Sequence, residues 1–347
     1  MKKLILFILL LIPINTNAYG SAYIVMDSDT KRVLEGNNIH APYLTASISK
    51  IMTAIVVINN TDVNQIITIG DEVSKSYGSG IYVELGEKIS ILDLLYGLML
   101  RSGNDAAMAL AHHVGGSMEG FVLLMNETAQ SIGMKNTLFL NSHGLEEKNN
   151  KGNTSTAYDM AILSSYAMQN EIYREIANTK KITVKTSHKT YIWHNKNRLL
   201  SIYEYCNGGK TGFTTLARRT LVTTATKDNI NLTVVNFKDG NDFKNHRDLY
   251  EKHFKKYQNY HLIKKGDLKT KYQNSYLKND FFMSLTEKEY QDIKINLSYI
   301  EDNVTNAIGQ ITVTLNNQEY FRDYIYQREV AEKLSLWQRI KRIFGFK

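Results

Sequence analysis

The sequence predicts an α/β fold class, an antiparallel sheet flanked by helices, followed by a small all-β domain and a C-terminal amphipathic helix. Three observations carry this expectation. A hairpin-like stretch near the start and strand-like stretches beyond residue 180 bracket a run of helical patterns. After about residue 261 the chain is polar, with short alternating runs such as "IKINLSYI" and "ITVTL". Residues 333–347 are basic and amphipathic. At 347 residues and 43% hydrophobic composition the chain can bury a real core and reads as more than one domain. The expected segments are 1–18, 19–260, 261–330 and 331–347.

Taken in order, the first segment has Met1-Lys2-Lys3, an apolar run from Leu4 to Ile14 broken by Pro13, and small residues around Ala18. That is the pattern of a cleaved signal peptide, too short to span a bilayer comfortably. Cleavage removes Lys2 and Lys3 and no carboxylate, so the net charge falls from +8 to +6. Such a balance suits an anionic membrane or wall surface, and export without a nucleic-acid motif argues against nucleic acid as a partner. The single cysteine, Cys206, excludes an intramolecular disulfide and reads as a small buried residue.

"AYIVMD" and "RVLEGN" around "SDTK" read as a β-hairpin. Ile48, Ile51, Met52, Ile55 and Val56 follow helical spacing and predict one buried face. Ser90 and Asp93 stand in capping-box positions ahead of Ile91, Leu94, Leu95, Leu98 and Met99, and that helix is expected to stop at Ser102-Gly103. "DAAMALAHHV" and "MEGFVLLMNETAQSIG" predict two more helices. "KKITVKT", "KTYIWHN", "RTLVTTAT" and "INLTVVNF" predict strands, and "DLYEKHFKKY" a closing helix. In the tail, Leu336, Ile340, Ile343 and Phe344 share a helical face with Trp337 at its edge, while Arg339, Lys341 and Arg342 fall mainly elsewhere. Such a helix suits a membrane surface; packing on the protein's own core is the alternative.

Ser-x-x-Lys occurs at Ser28/Lys31, Ser47/Lys50 and Ser275/Lys278. Only the second sits at the start of a packed helix, where the spacing puts hydroxyl and amine on one face and the free N–H groups of the first turn lie near the serine. A nucleophile with a base one turn away fits there, provided burial and a second cation hold the lysine neutral. Lys210 in "NGGKTGFTT" is a candidate second cation, although a glycine-rich turn entering a strand explains that segment equally well. "RSGNDAA" supplies Ser102-Gly103-Asn104, which alone reads as a loop with an N-cap. The order Ser-x-x-Lys, then Ser-x-Asn 55 residues on, then Lys-Thr-Gly 108 residues further on gives the three a joint meaning, that of a serine acyl-transfer site.

With "ASISKIMTA", "LGEKISILDLLYGLMLRSGNDAA", "LMNETAQSIGMKNTLFLNSHGLE", "STAYDM", "NKNRLL" and "GGKTGFT" in place, the stretch from Ala22 to Tyr257 resembles the D-alanyl-D-alanine carboxypeptidases, low-molecular-mass penicillin-binding proteins of the serine β-lactamase-like fold. The resemblance implies removal of the terminal D-Ala from peptidoglycan stem pentapeptides. Ser47 would be the nucleophile, Lys50 its base, Ser102 a proton relay and Asn104 a holder of the substrate amide. Lys210, Thr211, Gly212 and Thr214 would bind the terminal carboxylate end, and the backbone N–H groups of Ser47 and Phe213 would form the oxyanion hole. It implies no cofactor or metal, β-lactam antibiotics as covalent inhibitors, and residence at the outer face of the bacterial cytoplasmic membrane. His112 and His113 point to different faces of a helix and read as structural or exposed.

The chain departs from the family pattern after the Lys-Thr-Gly segment, where Ala217 is followed by Arg218 and Arg219, and "DGNDFKNHRD" offers only Arg247 as a downstream arginine. A class A β-lactamase would need a Glu-x-x-Leu-Asn pattern, which the sequence lacks. The alternatives are a serine β-lactamase, a transpeptidase, or a non-catalytic wall-binding penicillin-recognising homologue.

Overall fold

The computed structural model describes residues 19–147, 149–302 and 307–328. The expected signal peptide (1–18) and terminal helix (331–347) lie outside the described residues. Two compact units form: residues up to 227 with 231–253, and residues 228–230 with those from 254 on. The break after His253 precedes the expected one at 260, because the strand Gln258–Ile263 already pairs with Phe281–Leu285.

In the first unit, β1 (Ala22–Asp27) and β2 (Val33–Asn37) make the expected antiparallel hairpin. They join β3 (Cys206–Thr214), β4 (Arg218–Lys227) and β5 (Ile230–Phe237) in a five-stranded sheet of order β2-β1-β5-β4-β3. β1 pairs antiparallel with β5, and β4 with β3. β3 is therefore an edge strand. The predicted strands Lys181–Lys185 and Thr190–His194 exist but pair only with each other, outside this sheet.

The α-helices of six or more residues are α1 (Lys50–Asn60), α2 (Ile91–Tyr96), α3 (Asn104–Gly115), α4 (Met118–Ser131), α5 (Ala157–Ala167), α6 (Glu171–Asn178) and α7 (Asp242–Lys256). Ser90 caps α2 as expected, its hydroxyl accepting from Asp93 N at 3.0 Å. α1 differs from expectation in kind. Beyond Ile51, Met52, Ile55 and Val56, it also buries Lys50, Thr53, Ala54 and Val57, so most of its circumference is enclosed. Its neighbours α3, α4 and α5 supply the walls. A helix surrounded in this way carries its first residue, Lys50, into the core with it.

The second unit is rich in strands, with a five-stranded and a two-stranded sheet. It is not wholly β: Glu287–Gln291 is a short helix closed by a capping box between Thr286 and Glu289. Its core holds Ile263, Leu277, Ile311, Val313 and Ile325. No helix among the described residues is long and apolar enough to cross a membrane.

Candidate active site

The site begins at a tight turn. Ala46 adopts φ +48°, a left-handed conformation rare for a residue with a side chain, and Ala46–Ser49 then form a 3-10 turn that runs into α1. Ser47 sits in that turn, and Lys50 is the first residue of α1. The Lys50 side chain is completely buried. Its Nζ lies 3.2 Å from Ser47 Oγ, 2.7 Å from Asn104 Oδ1 and 2.6 Å from the His143 carbonyl. A neutral amine has two protons and one lone pair. The amide oxygen and the carbonyl take the protons, which leaves the lone pair for the serine hydroxyl.

Electrostatics favour that neutral form. Burial, first, and then the charges of Lys210 and Lys196 hold the Lys50 amine well below its ordinary value, with Asp105 pulling weakly the other way. Lys210 is itself buried, and burial followed by Lys196 pushes it down to about 7. His143 is pushed down to about 3 by burial and then by Lys50, so its ring is neutral at pH 7.

Ser102 and Asn104 arrive by a different route. After α2 the chain widens into a five-residue π turn, Gly97–Arg101, and leaves it through Ser102 at φ +64°. Asn104 opens α3, donating Nδ2 to the Tyr77 carbonyl at 2.6 Å, while its backbone N–H donates to the Ser79 carbonyl at 2.8 Å. Asp105 fastens the same loop, accepting from Ile81 N at 3.0 Å and Tyr82 N at 2.6 Å. Asn104 thus spends its amide oxygen on Lys50 and its amide N–H on a loop.

The Lys-Thr-Gly segment is not a turn: it lies on edge strand β3. Its glycines serve close approach. A Cβ on Gly212 would come within 3.0 Å of Ser47 N and 2.4 Å of Thr220 Oγ1. The two threonines differ in what they meet. Thr211, Gly212 and Phe213 line a cleft of about 430 Å³ that also holds Ser47 and Ser102. Thr214 is not in that lining; its hydroxyl donates to Glu146 and accepts from Ala217 N at 3.0 Å. The expectation that Thr214 holds a substrate carboxylate meets that prior engagement. Lys210 Nζ donates to the Thr211 carbonyl at 2.7 Å.

The cleft also holds residues the motifs did not indicate: Ser79, Lys196, Arg198, Asp242 and Phe243. Lys196 and Arg198 lie within "NKNRLL", a segment that shows no motif by itself. Arg219 reaches the cleft and is held by Asp242 through two hydrogen bonds, Nε–Oδ2 at 3.0 Å and Nη2–Oδ1 at 2.7 Å. Arg198 and Arg219 lie 6.0 and 5.6 Å from the Phe243 ring centre. Arg218 is exposed, and Arg247 lies outside the cleft beside Asp248. Cys206 is buried as expected, its thiol pushed up to about 11 by burial.

A family model described as D-alanyl-D-alanine carboxypeptidase, peptidase family S11, matches residues 13–241. The chain belongs to that family. Among S11 relatives, the carboxypeptidase DacF of Bacillus subtilis is 33% identical over 220 residues, covering 62% of this chain and 56% of that protein. DacC of Escherichia coli is 35% identical over 225 residues, covering 61% and 54%. The match thus spans about half the length of these relatives. Among solved structures, penicillin binding protein 5 of Haemophilus influenzae superposes with a TM-score of 0.75 at 25% identity, over 90% of this chain and 98% of that one. The fold is that of the penicillin-binding proteins, an α/β arrangement of antiparallel strands and helices.

Proposed function

We propose that this chain is a serine-type D-Ala-D-Ala carboxypeptidase that removes the terminal D-Ala of peptidoglycan stem pentapeptides, and that β-lactams acylate the same serine. The observation that carries the reading is the enclosed Lys50 amine 3.2 Å from Ser47 Oγ, with two acceptors already filling N–H positions and with burial and neighbouring cations favouring its neutral form. Ser47 Oγ attacks the carbonyl carbon of the penultimate D-Ala while Lys50 takes the hydroxyl proton. The N–H groups of Ser47 and Phe213 receive the oxyanion, each such donor being worth roughly 3 kcal/mol. Ser102, at the cleft wall, passes a proton to the departing D-Ala amine as the C–N bond breaks. The cations Lys196, Arg198 and Lys210, with Thr211, attract the substrate's terminal carboxylate. Water then cleaves the acyl-enzyme, releasing the shortened peptide and returning the proton to Ser47. A β-lactam carbonyl is attacked in the same way, but its leaving nitrogen stays tethered.

Intact-mass spectrometry after brief exposure to penicillin, with peptide mapping, tests this reading. A stable adduct on Ser47, absent in Ser47→Ala, together with D-Ala release from a pentapeptide, is the expected result. Labelling that survives in Ser47→Ala defeats the assignment of the nucleophile, and rapid loss of the adduct with drug turnover points to a β-lactamase.

Export through residues 1–18 and attachment to the outer membrane face through residues 331–347 complete the proposal, supported by sequence pattern alone. Deleting residues 333–347 should release the protein from membranes with soluble activity intact. Continued sedimentation with lipid would refute the anchor.

A further inference from the structure

The segment from Asn141 to Glu146 reaches the Lys50 amine without belonging to any of the three motifs. Its His143 carbonyl accepts from Lys50 Nζ at 2.6 Å. On one side of that contact the loop is fastened to itself: Asn141 Oδ1 accepts from His143 N at 3.2 Å and Gly144 N at 2.7 Å, and Asn141 Nδ2 donates to the Leu145 carbonyl at 2.9 Å. On the other side Glu146 accepts the hydroxyl proton of Thr214, the last residue of β3, while its own carbonyl accepts from Tyr77 OH at 3.3 Å. Thr214 is held in turn by Ala217 N. Only Gly144 and Leu145 thus separate the residue whose carbonyl meets the amine from a side chain tied to the strand that carries Lys210 and Gly212.

We infer that Glu146, through Thr214, is a positioning residue for Lys50: the clamp keeps the His143 carbonyl on the amine and keeps water away from it. This rests on the reading of Ser47 and Lys50 as nucleophile and base. The charges acting on the Lys50 amine come from Lys210, Lys196 and Asp105. Glu146 acts through its hydrogen bond with Thr214, and Glu146→Gln, which keeps that bond without the charge, separates geometry from field. Burial is the first cause of the low Lys50 value, so a loop that lifts and admits water moves that value back up.

The test is the second-order rate of acylation by a fluorescent penicillin on the mature chain, measured from pH 5 to 9. Glu146→Ala should slow acylation about tenfold or more and shift the acid limb to higher pH. Glu146→Gln keeps an oxygen for Thr214 and should recover most of the rate. Thr214→Val should resemble Glu146→Ala, and the double variant should be no slower than either single one. An acid limb that stays in place, a Glu146→Gln variant as slow as Glu146→Ala, or additive losses would overturn the inference. If Glu146→Ala fails to fold, Thr214→Val and Glu146→Gln decide by the same criteria. Labelling retained by Ser47→Ala would instead defeat the nucleophile itself, whereas labelling lost there alongside a wild-type-like Glu146→Ala would defeat only the clamp.

Discussion

Gly144→Ala probes how tightly the loop is pressed onto the nucleophile's turn. Gly144 has φ +88°, and a Cβ placed on it would lie 2.0 Å from the Ala46 oxygen, 2.5 Å from the Ala46 carbonyl carbon and 2.6 Å from Ser49 Oγ. Two costs add. A side chain in the left-handed region costs about 1–2 kcal/mol, and forcing apart a packed backbone contact costs about 1–3 kcal/mol. Because the displaced atoms belong to the turn that presents Ser47, acylation should slow as well. A total of about 2–5 kcal/mol lowers the melting temperature of a unit this size by roughly 5–20 °C. Gly133→Ala separates the two contributions, since Gly133 has φ +86° and nothing within 4 Å of the added Cβ. It should pay only the conformational part and leave acylation unchanged. Differential scanning calorimetry gives the first quantity and penicillin labelling at low temperature the second. If Gly144→Ala melts no lower than Gly133→Ala and acylates at the wild-type rate, the claimed contact does not govern the turn.

Two further outcomes follow from the buried groups. Burial holds His246 and His143 down to about 3, against an ordinary 6.5, so both are neutral in the folded chain. Their contribution is fully present above about pH 6.5 and is lost as the pH falls towards 3, at about 1.4 kcal/mol per pH unit for each; a melting temperature that does not change from pH 7 to pH 5 would contradict this. Asp105→Ala removes the acceptor of the Ile81 and Tyr82 N–H groups and should cost about 2–4 kcal/mol. Since Asp105 opposes the lowering of Lys50, the acid limb of acylation should move to lower pH, and a shift upward would show that the loop, not the charge, dominates.

Local rules made part of this architecture readable. The hairpin and the Ser90 cap follow from alternation and from side-chain-to-backbone chemistry within a few residues, and the buried face of α1 follows from its period. The nature of β3 did not follow, because Gly208 and Gly209 read as a turn. Their purpose is packing: a Cβ on Gly208 would meet Thr224 Oγ1 at 2.8 Å, and one on Gly209 the Val222 carbonyl at 2.3 Å. The order of the motifs brought out Ser47, Lys50, Ser102 and Lys210, which the fold gathers around one cleft and the amine beside it. Glu146, Arg198 and Asp242 stayed hidden, since each acquires its meaning from a partner distant in sequence. Thr214 has a partner its motif did not indicate: Glu146, 68 residues upstream, accepts from its hydroxyl.

The widened turn Gly97–Arg101 has a consequence for which insertions and deletions the gene can tolerate. An α-helix advances about 100° per residue, so removing one residue from this turn would let it relax to ordinary helix without any unfavourable contact in the helix itself. A π turn, closed by i→i+5 bonds, holds about one residue more per revolution than an α turn, so Ser102 would leave the relaxed helix in nearly its present phase, with Asn104 still on the Tyr77 and Ser79 carbonyls. Single-residue deletions between 97 and 101 should therefore give a chain that folds and still takes up penicillin, whereas a one-residue insertion there should turn Ser102 about a quarter of a revolution out of phase and abolish uptake. Length here is asymmetric: the turn holds one residue in reserve, and a lineage can lose that residue more readily than gain another.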